Sequence, residues 1–320
     1  MNHNVNTENS PPPQCSPATA PSAVRSSRPA VVGQFITVIL IWSLTPLAAV
    51  WTVYEIHWVW GLFFRFSLAL LFALPLLLYF RQTLPIHRQA LLCYASGAIG
   101  LVGSMAFCYM GAQYVSSGLI SIIYGLAPLL TGLIGFWFMK QSRLSSLQWI
   151  GLILGFMGLY FSLGLQQSNG QLHVVGVLLE IVAMLLYIVS ALAVKATGDG
   201  IHPVSQMMGT TLTSWLVFLL ILPFFADSFP SALPSMKALT ALLYSALFSS
   251  VLAFICYYQL LKNIQTSTLM LTTILTPVIA TLWGAVLNAE PFGLHSVLGL
   301  ALLCMGLTLY AKKSFRTSLV

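Results

Sequence analysis

Two ionisable side chains stand inside stretches that are otherwise apolar. Arg65 interrupts the run Trp58 to Phe80, and Glu180 interrupts the run Val174 to Val194. A charge inside a bilayer is costly enough that it is paired, solvated in a cavity or functional. Each lies about two turns from the same end of its run, so three roles stay open: an ion pair with each other or with backbone carbonyls, direct contact with a substrate, and proton exchange at Glu180. Prolines are the second signal. Pro46, Pro128 and Pro277 fall near the middle of their runs. A proline removes one helical hydrogen bond and frees a carbonyl about one turn earlier, near Tyr124 for Pro128 and near Thr273 for Pro277. In hydrocarbon such a carbonyl is tolerated where it faces protein or a water-filled cavity, though a packing kink with no ligand is the plainer explanation for any one proline.

Aromatic and hydroxyl residues recur at the same depth: Trp42, Tyr109, Tyr124, Tyr187, Tyr257, Tyr258, Thr272, Thr273, Thr276 and Trp283. Aromatic faces with a few polar tips suit an amphipathic or aromatic small molecule, because they offer area without charge. Ordinary helix packing explains each of them taken singly. Catalytic chemistry has little to work with. His57, His87, His173, His202 and His295 all fall at or beyond run ends, no H-E-x-x-H helix occurs, and no pair of acids lies within a run. Without a G-x-x-x-x-G-K-[ST] loop the chain has no such means of hydrolysing nucleotide. Neither metal nor cofactor is expected, and an embedded enzyme is the weakest of the functional classes.

The elements that must position these residues are membrane helices. Of 320 residues 58% are hydrophobic and only 6% charged, whereas a soluble domain is about a quarter charged. Ten apolar runs are read: Val32 to Val53, Trp58 to Phe80, Ala90 to Met110, Gly118 to Met139, Leu147 to Leu165, Val174 to Val194, Val204 to Phe225, Ala238 to Leu261, Ser267 to Leu287 and Leu294 to Tyr310. Each is near the length of about 20 residues that crosses a hydrocarbon core as a helix. The net charge of +7 comes from Lys and Arg scattered between the runs, which argues against nucleic acid and leaves lipid as the main partner. Residues 1–31, rich in proline and polar residues, read as a disordered tail, and residues 312–320 as a short basic one. The first apolar run starts too far in for a signal peptide, so it is expected to be retained.

Basic residues fall on alternate connections. Arg25, Arg28, Arg81, Arg88, Lys140, Arg143, Lys195, Lys262, Lys312, Lys313 and Arg316 share one side under this count, while Glu55, Asp227, Glu290 and the lone Lys237 take the other. The positive-inside rule makes the first side the cytoplasm of an inner (plasma) membrane and puts both termini there. Five spans per half invert the second half relative to the first. Duplication is visible where the stretch Ile150 to Leu159 matches Leu298 to Leu307, with Gly151, Gly158, Gly299 and Gly306 in register, and where Leu126-Ala127-Pro128 falls on Leu275-Thr276-Pro277. Gly151 and Gly155, four apart, offer a face for close packing against a neighbouring helix of the same chain, with a dimer contact as the alternative.

This pattern resembles the EamA branch of the drug/metabolite transporter superfamily. The resemblance is carried by Leu40-Ile41-Trp42-Ser43, Arg65-Phe66, Gly118-Leu119-Ile120-Ser121, Ala127-Pro128-Leu129, Ala183 to Tyr187, Thr276-Pro277-Val278 and Asn288-Ala289-Glu290-Pro291, in that order over Val32 to Tyr310. It departs at Ser142, near which the family usually carries a Glu, and at Glu180, where the family has a small apolar residue. The resemblance implies an all-α membrane protein with ten helices in two inverted repeats, residues 32–165 and 174–311. It also implies a structural role for Arg65 and a central cavity lined by the first, third, fourth, sixth, eighth and ninth spans. The expected activity is secondary transport of small metabolites, foremost export of amino acids with large side chains or of drugs, by alternating access. A channel or passive facilitator is the second reading. The expected substrate site is Trp42, Tyr109, Tyr124, Pro128, Tyr187, Tyr258, Thr273, Thr276, Pro277 and Trp283, with Arg65 and Glu180 as intramembrane charges. The oligomeric state, the coupling ion and the direction of flux do not follow from the sequence.

Overall fold

In hydrocarbon a chain must satisfy its backbone polar groups internally, and helices do so within each segment. The computed structural model describes residues 28–138, 144–168, 173–197, 200–263 and 266–317. The greater part of the expected tail, with Arg25, lies outside the described residues, as do Lys140, Ser142, Arg143 and residues 318–320. Ten spans follow one another: α1 (Arg28–Val53), α2 (Trp58–Tyr79), α3 (Arg88–Gly111), α4 (Ser117–Gly125 and Ala127–Phe138), α5 (Ser146–Ser168), α6 (Val174–Thr197), α7 (Pro203–Ser228), α8 (Met236–Tyr244, Ser245–Leu252 and Ala253–Asn263), α9 (Thr266–Asn288) and α10 (Leu294–Thr317). Among the described residues nine are long and apolar enough to cross a bilayer; α9 is 23 residues long, with its apolar stretch running from Thr272. The sequence-derived limits agree at most ends to within a few residues, and α10 runs on past Tyr310 to Thr317 because nothing between them stops a helix.

The helices pair across the two halves in a symmetric way. α1 packs on α8 and α6 on α3, while α2 meets α7, α4 meets α9 and α5 meets α10. Each pair maps onto another, or onto itself, when span n is exchanged with span n + 5, as an internal two-fold requires. The most extensive of the self-paired contacts is α5 with α10. There the backbones touch: a Cβ added at Gly151 would lie 2.6 Å from the carbonyl oxygen of Gly306, and one at Gly158 would lie 2.6 Å from that of Gly299. Gly155 faces Leu126 and Leu129 of α4 instead. Apolar burial gives little net drive between helices in lipid, so close backbone approach and dispersion hold such a pair.

At the face opposite the two described ends, polar side chains tie the spans together. The Glu290 carboxylate accepts hydrogen bonds from the backbone N–H groups of Ser117 (3.0 Å) and Gly118 (3.1 Å) at the start of α4, and from the Asn288 side-chain amide at 3.2 Å. A carboxylate at a helix N-terminus meets unpaired N–H donors and the positive end of the dipole. Ala289, at φ 50, makes the sharp turn that brings Glu290 back toward α9, where its own N–H bonds to the Gly284 carbonyl at 3.1 Å. Trp51 of α1 and Lys237 of α8 both donate to Asn288 Oδ1, at 2.8 and 3.4 Å. Glu55 accepts from both the N–H and the hydroxyl of Ser235, the N-cap of α8, and these bonds hold its carboxyl below the usual range. That contribution is present above the unfolded carboxylate pKa and is lost as pH falls through the lower folded value.

Two stability predictions follow from these contacts. Gly306→Leu forces α10 off α5 and is expected to lower the melting temperature in detergent, overpacking of this kind costing about 1–3 kcal/mol. Gly33→Leu, with nothing within 4 Å of the added Cβ, is the control that leaves it unchanged. Glu290→Ala removes two charge-assisted bonds to α4 and should lower stability by about 1–3 kcal/mol, with Glu290→Gln between it and the parent. Equal melting temperatures for all three would show that the cap contributes nothing.

Candidate functional site

Helical irregularities converge on the middle of the bundle. In α3 the turns Ile99–Ser104 are π-helical, and in α8, its counterpart in the second half, so are Ser245–Leu252. Wider turns of this kind leave the i→i−4 ladder and are frequent at functional positions. The ladder of α4 breaks at Leu126, whose N–H turns to the Ile123 carbonyl at 3.0 Å. α1 carries Pro46 and α9 carries Pro277 within continuous helix.

All of these segments but the π turns of α8 border a cavity of about 170 Å³ between the two halves, room for on the order of ten waters. Its wall comes from α1 (Trp42, Thr45, Pro46, Ala49), α2 (Arg65), α3 (Gly97, Gly100, Leu101, Met105, Cys108, Tyr109), α4 (Ile120, Ser121, Tyr124, Gly125), α6 (Tyr187, Ser190, Ala191, Val194), α8 (Phe254, Tyr257, Tyr258) and α9 (Thr272, Thr273, Thr276, Pro277). The six spans expected to line it all do, and α2 joins them through Arg65.

The aromatic residues form a connected box. The Trp42 ring lies 5.0 Å from Tyr257 and 5.8 Å from Phe254, Tyr257 lies 5.7 Å from Tyr258, and across the cavity Tyr124 lies 5.8 Å from Tyr187. Hydroxyls are fixed in pairs: Ser104 with Tyr124 at 2.9 Å and Thr45 of α1 with Ser249 of α8 at 2.7 Å. Ser190 donates to the Ser96 carbonyl at 2.8 Å, and Thr276 to the Thr272 carbonyl at 2.6 Å. The wall is apolar in area, with a small number of anchored polar tips.

Of the residues singled out in the sequence, Trp42, Tyr109, Tyr124, Tyr187, Tyr258, Thr273, Thr276, Pro277 and Arg65 meet at this cavity. Pro128, Trp283 and Glu180 do not. Pro128 is buried in packing, at the second position of a new helical segment, because α4 breaks before it rather than kinking around it. Trp283 follows Thr276 by seven residues, on the same face of α9 but about two turns nearer its C-terminal end, where its indole N–H donates to Ser43 Oγ at 3.2 Å. Glu180 is fully buried beside α3, against Gly111 and Cys108.

The ion pair that matched depths would allow does not form. Arg65 donates from Nε to Ser250 Oγ at 2.8 Å, and from Nη1 to Tyr109 Oη at 3.1 Å and Met105 Sδ at 3.8 Å. Both Glu180 oxygens are without a hydrogen-bond partner. The reason is helical phase. Arg65 meets α3 at Met105 and Tyr109, while Glu180 meets it at Cys108 and Gly111, about a third of a turn further round, so α2 and α6 each approach α3 from a different direction and the two side chains do not meet.

Sequence reasoning passed over Ser250, Thr45, Ser190 and Phe254, and both π-helical segments. The available signal was a hydroxyl in the middle of an apolar run, which in lipid marks a group needing a partner. The π turns carry no signal in residue type alone.

The profile of the EamA-like transporter family matches residues 31–164 and again 174–311. The uncharacterized transporter YoaV of Bacillus subtilis (strain 168) is 28% identical over 278 residues, 85% of this chain and 93% of that protein. The uncharacterized inner membrane transporter YedA of Escherichia coli (strain K12) is 28% identical over 71% of this chain and 72% of its own length. An uncharacterized transporter of Archaeoglobus fulgidus is 25% identical over 69% and 77%. A crystal structure, titled only as that of a protein, superposes with a TM-score of 0.65 over 89% of this chain and 98% of its own at 18% identity, a likeness of fold. Ten apolar helices arranged as two halves, with a cavity between those halves and two family matches in tandem, make this chain a multi-pass membrane transporter of the EamA-like transporter family.

Proposed function

We propose that the protein is a secondary transporter that exports small amphipathic metabolites, amino acids with large side chains foremost, by alternating access around the central cavity. The observation that carries this reading is the cavity itself, walled by α1, α3 and α4 from one half and α6, α8 and α9 from the other. Two inverted halves about one site can rock so that the site faces each side in turn. The aromatic box supports a substrate with a flat or bulky apolar body, since ring faces give contact area at low entropic cost. Trp42, Tyr109, Tyr124, Tyr187, Tyr258, Thr273 and Thr276 are the proposed substrate contacts, with Pro277 shaping the helix that carries the threonines.

Orientation follows from charge. The basic connections put both termini in the cytoplasm, and the polar ties through Glu290, Asn288 and Trp51 then lie at the outer face. On this orientation the Glu290 cap and its neighbours close the cavity toward the outside. Gly97, Val194, Tyr258 and Thr272, nearer the cytoplasmic ends of their helices, border the inner approach.

The test is efflux from proteoliposomes preloaded with labelled amino acids, nucleosides and cationic drugs, with and without an imposed proton gradient. Saturable efflux of one class, accelerated by the same compound on the far side, is expected. Trp42→Ala, which removes two ring contacts, should lower it about tenfold or more with no loss of folded protein, the magnitude expected for a buried aromatic anchor. Flux that does not saturate would favour a channel, and no flux of any compound from folded protein would overturn the reading.

A further inference from the structure

Arg65 is the only charged side chain in the cavity wall among the described residues, and it is fully buried. Its neighbours are neutral. Three acceptors, a serine hydroxyl, a phenol and a thioether, serve Nε and Nη1, while Nη2 has no partner at all. A guanidinium keeps its proton in any protein environment and carries five N–H donors in a planar fork. Buried and unpaired, such a cation is expensive, and the cost is usually offset by a carboxylate close by. The other charge far from the ends of a described span, Glu180, lies on α6 against Cys108 and Gly111 of α3 and forms no ion pair with Arg65.

We infer that the missing partner is the substrate's own carboxylate, which Arg65 takes on the edge formed by Nη2 and Nη1. The inference deepens the transporter reading above and rests on it. Nη1 is held by the Tyr109 phenol and, more loosely, by the Met105 thioether, a weak acceptor on a flexible side chain that also borders the cavity and is the easier of the two to displace. A carboxylate matches the fork with two parallel bonds, each stronger for being charged at both ends. One guanidinium amid apolar groups and hydroxyls fits a monoanion, whereas a phosphate dianion calls for several cationic donors. The apolar remainder of the ligand then lies along the aromatic box of Trp42, Tyr257 and Tyr258. Neutral and cationic molecules with the same body leave the Arg65 charge unpaired and are rejected, because discrimination is strongest where a buried polar group loses its partner.

Three probes share one ring and differ at the anionic end: L-phenylalanine, L-phenylalaninamide and phenethylamine. In proteoliposomes of the wild-type protein, saturable flux is expected for the acid and about tenfold or more less for the amide and the amine. The same ratio is expected when aliphatic amino acids are compared with their amides. Arg65→Gln should bring the acid-to-amide ratio close to one, and Arg65→Lys should restore part of it. A purely structural role would lower the flux of all probes alike and leave the ratio unchanged. The wild-type comparison needs no variant to fold. Amide or amine carried as fast as acid would overturn the assignment while the transporter reading stands, as would saturable flux of a cationic drug alone. Absence of saturable flux for every compound from folded protein would overturn both.

Discussion

Every feature of this molecule answers to one constraint: in hydrocarbon an unsatisfied backbone group has no water to turn to. The chain therefore crosses as helices, and a departure from the α-helical ladder is affordable only where protein or a wet cavity receives what the ladder gives up. The departures obey this closely. The π turns of α3 contribute Gly100 and Leu101 to the cavity, Gly125 lies beside the break in α4, and Pro46 and Pro277 both border the same space. The π turns of α8 reach it indirectly, by aiming Ser249 at Thr45 and Ser250 at Arg65. Much of the irregular backbone is thus gathered around one volume, while Pro75 of α2, which is exposed, and the 3-10 turns Leu222–Ser228 that end α7 lie away from it.

The same constraint shapes how the halves are joined. Contacts that hold α5 to α10 are backbone against backbone, with glycine at the points of approach, and such contacts tolerate little sliding. Contacts around the cavity are of another kind. They are hydroxyl pairs, ring edges and a cation held by neutral acceptors, which exchange partners at small cost. On the proposed alternating-access reading, the close seam at α5 and α10 would stay packed while the polar and aromatic contacts among α1, α3, α6 and α8 change. Cross-half pairs that remain packed can serve as the pivots, and those bordering the cavity can reorganise.

How much of this was legible in the sequence depends on which physical signal each feature leaves. Span number and span ends were readable because apolar length is imposed by the bilayer, and the duplication because glycines at close contacts cannot be exchanged: Gly151, Gly158, Gly299 and Gly306 fall in register. The Trp and Tyr residues of the wall and its threonines on α9 were readable because aromatic and hydroxyl residues at mid-depth are uncommon enough to notice. Pro128 misled, since proline signals an interruption without saying whether the helix kinks around it or restarts before it; in α4 it restarts. Trp283 misled because it shares the face of Thr272 and Thr276 but lies about two turns further along α9, where it meets Ser43 instead of the cavity. The π turns were invisible, as an extra residue in a turn is a property of backbone register and not of composition.

Phase also decides the meaning of the two intramembrane charges. Depth alone allowed Arg65 and Glu180 to pair, and a pair would have been self-sufficient, a structural tie with no need of a ligand. Their approach to α3 from different directions changes the electrostatics altogether. Arg65 keeps its charge among neutral acceptors at the cavity wall, where a ligand's anion can complete it. Glu180 is enclosed by Cys108 and Gly111, with the Cys108 thiol as the polar group beside its carboxylate. Gly111 leaves the room that the Glu180 side chain occupies, since a Cβ there would lie 2.6 Å from Oε1. Filling Gly111 would displace the carboxyl without touching Arg65. The two charges are thus separable by substitution, and any coupling between them must pass through the α3 turn that carries Met105, Cys108 and Tyr109. That turn directly follows the π-helical segment, the part of α3 whose register is least fixed by its own hydrogen bonds.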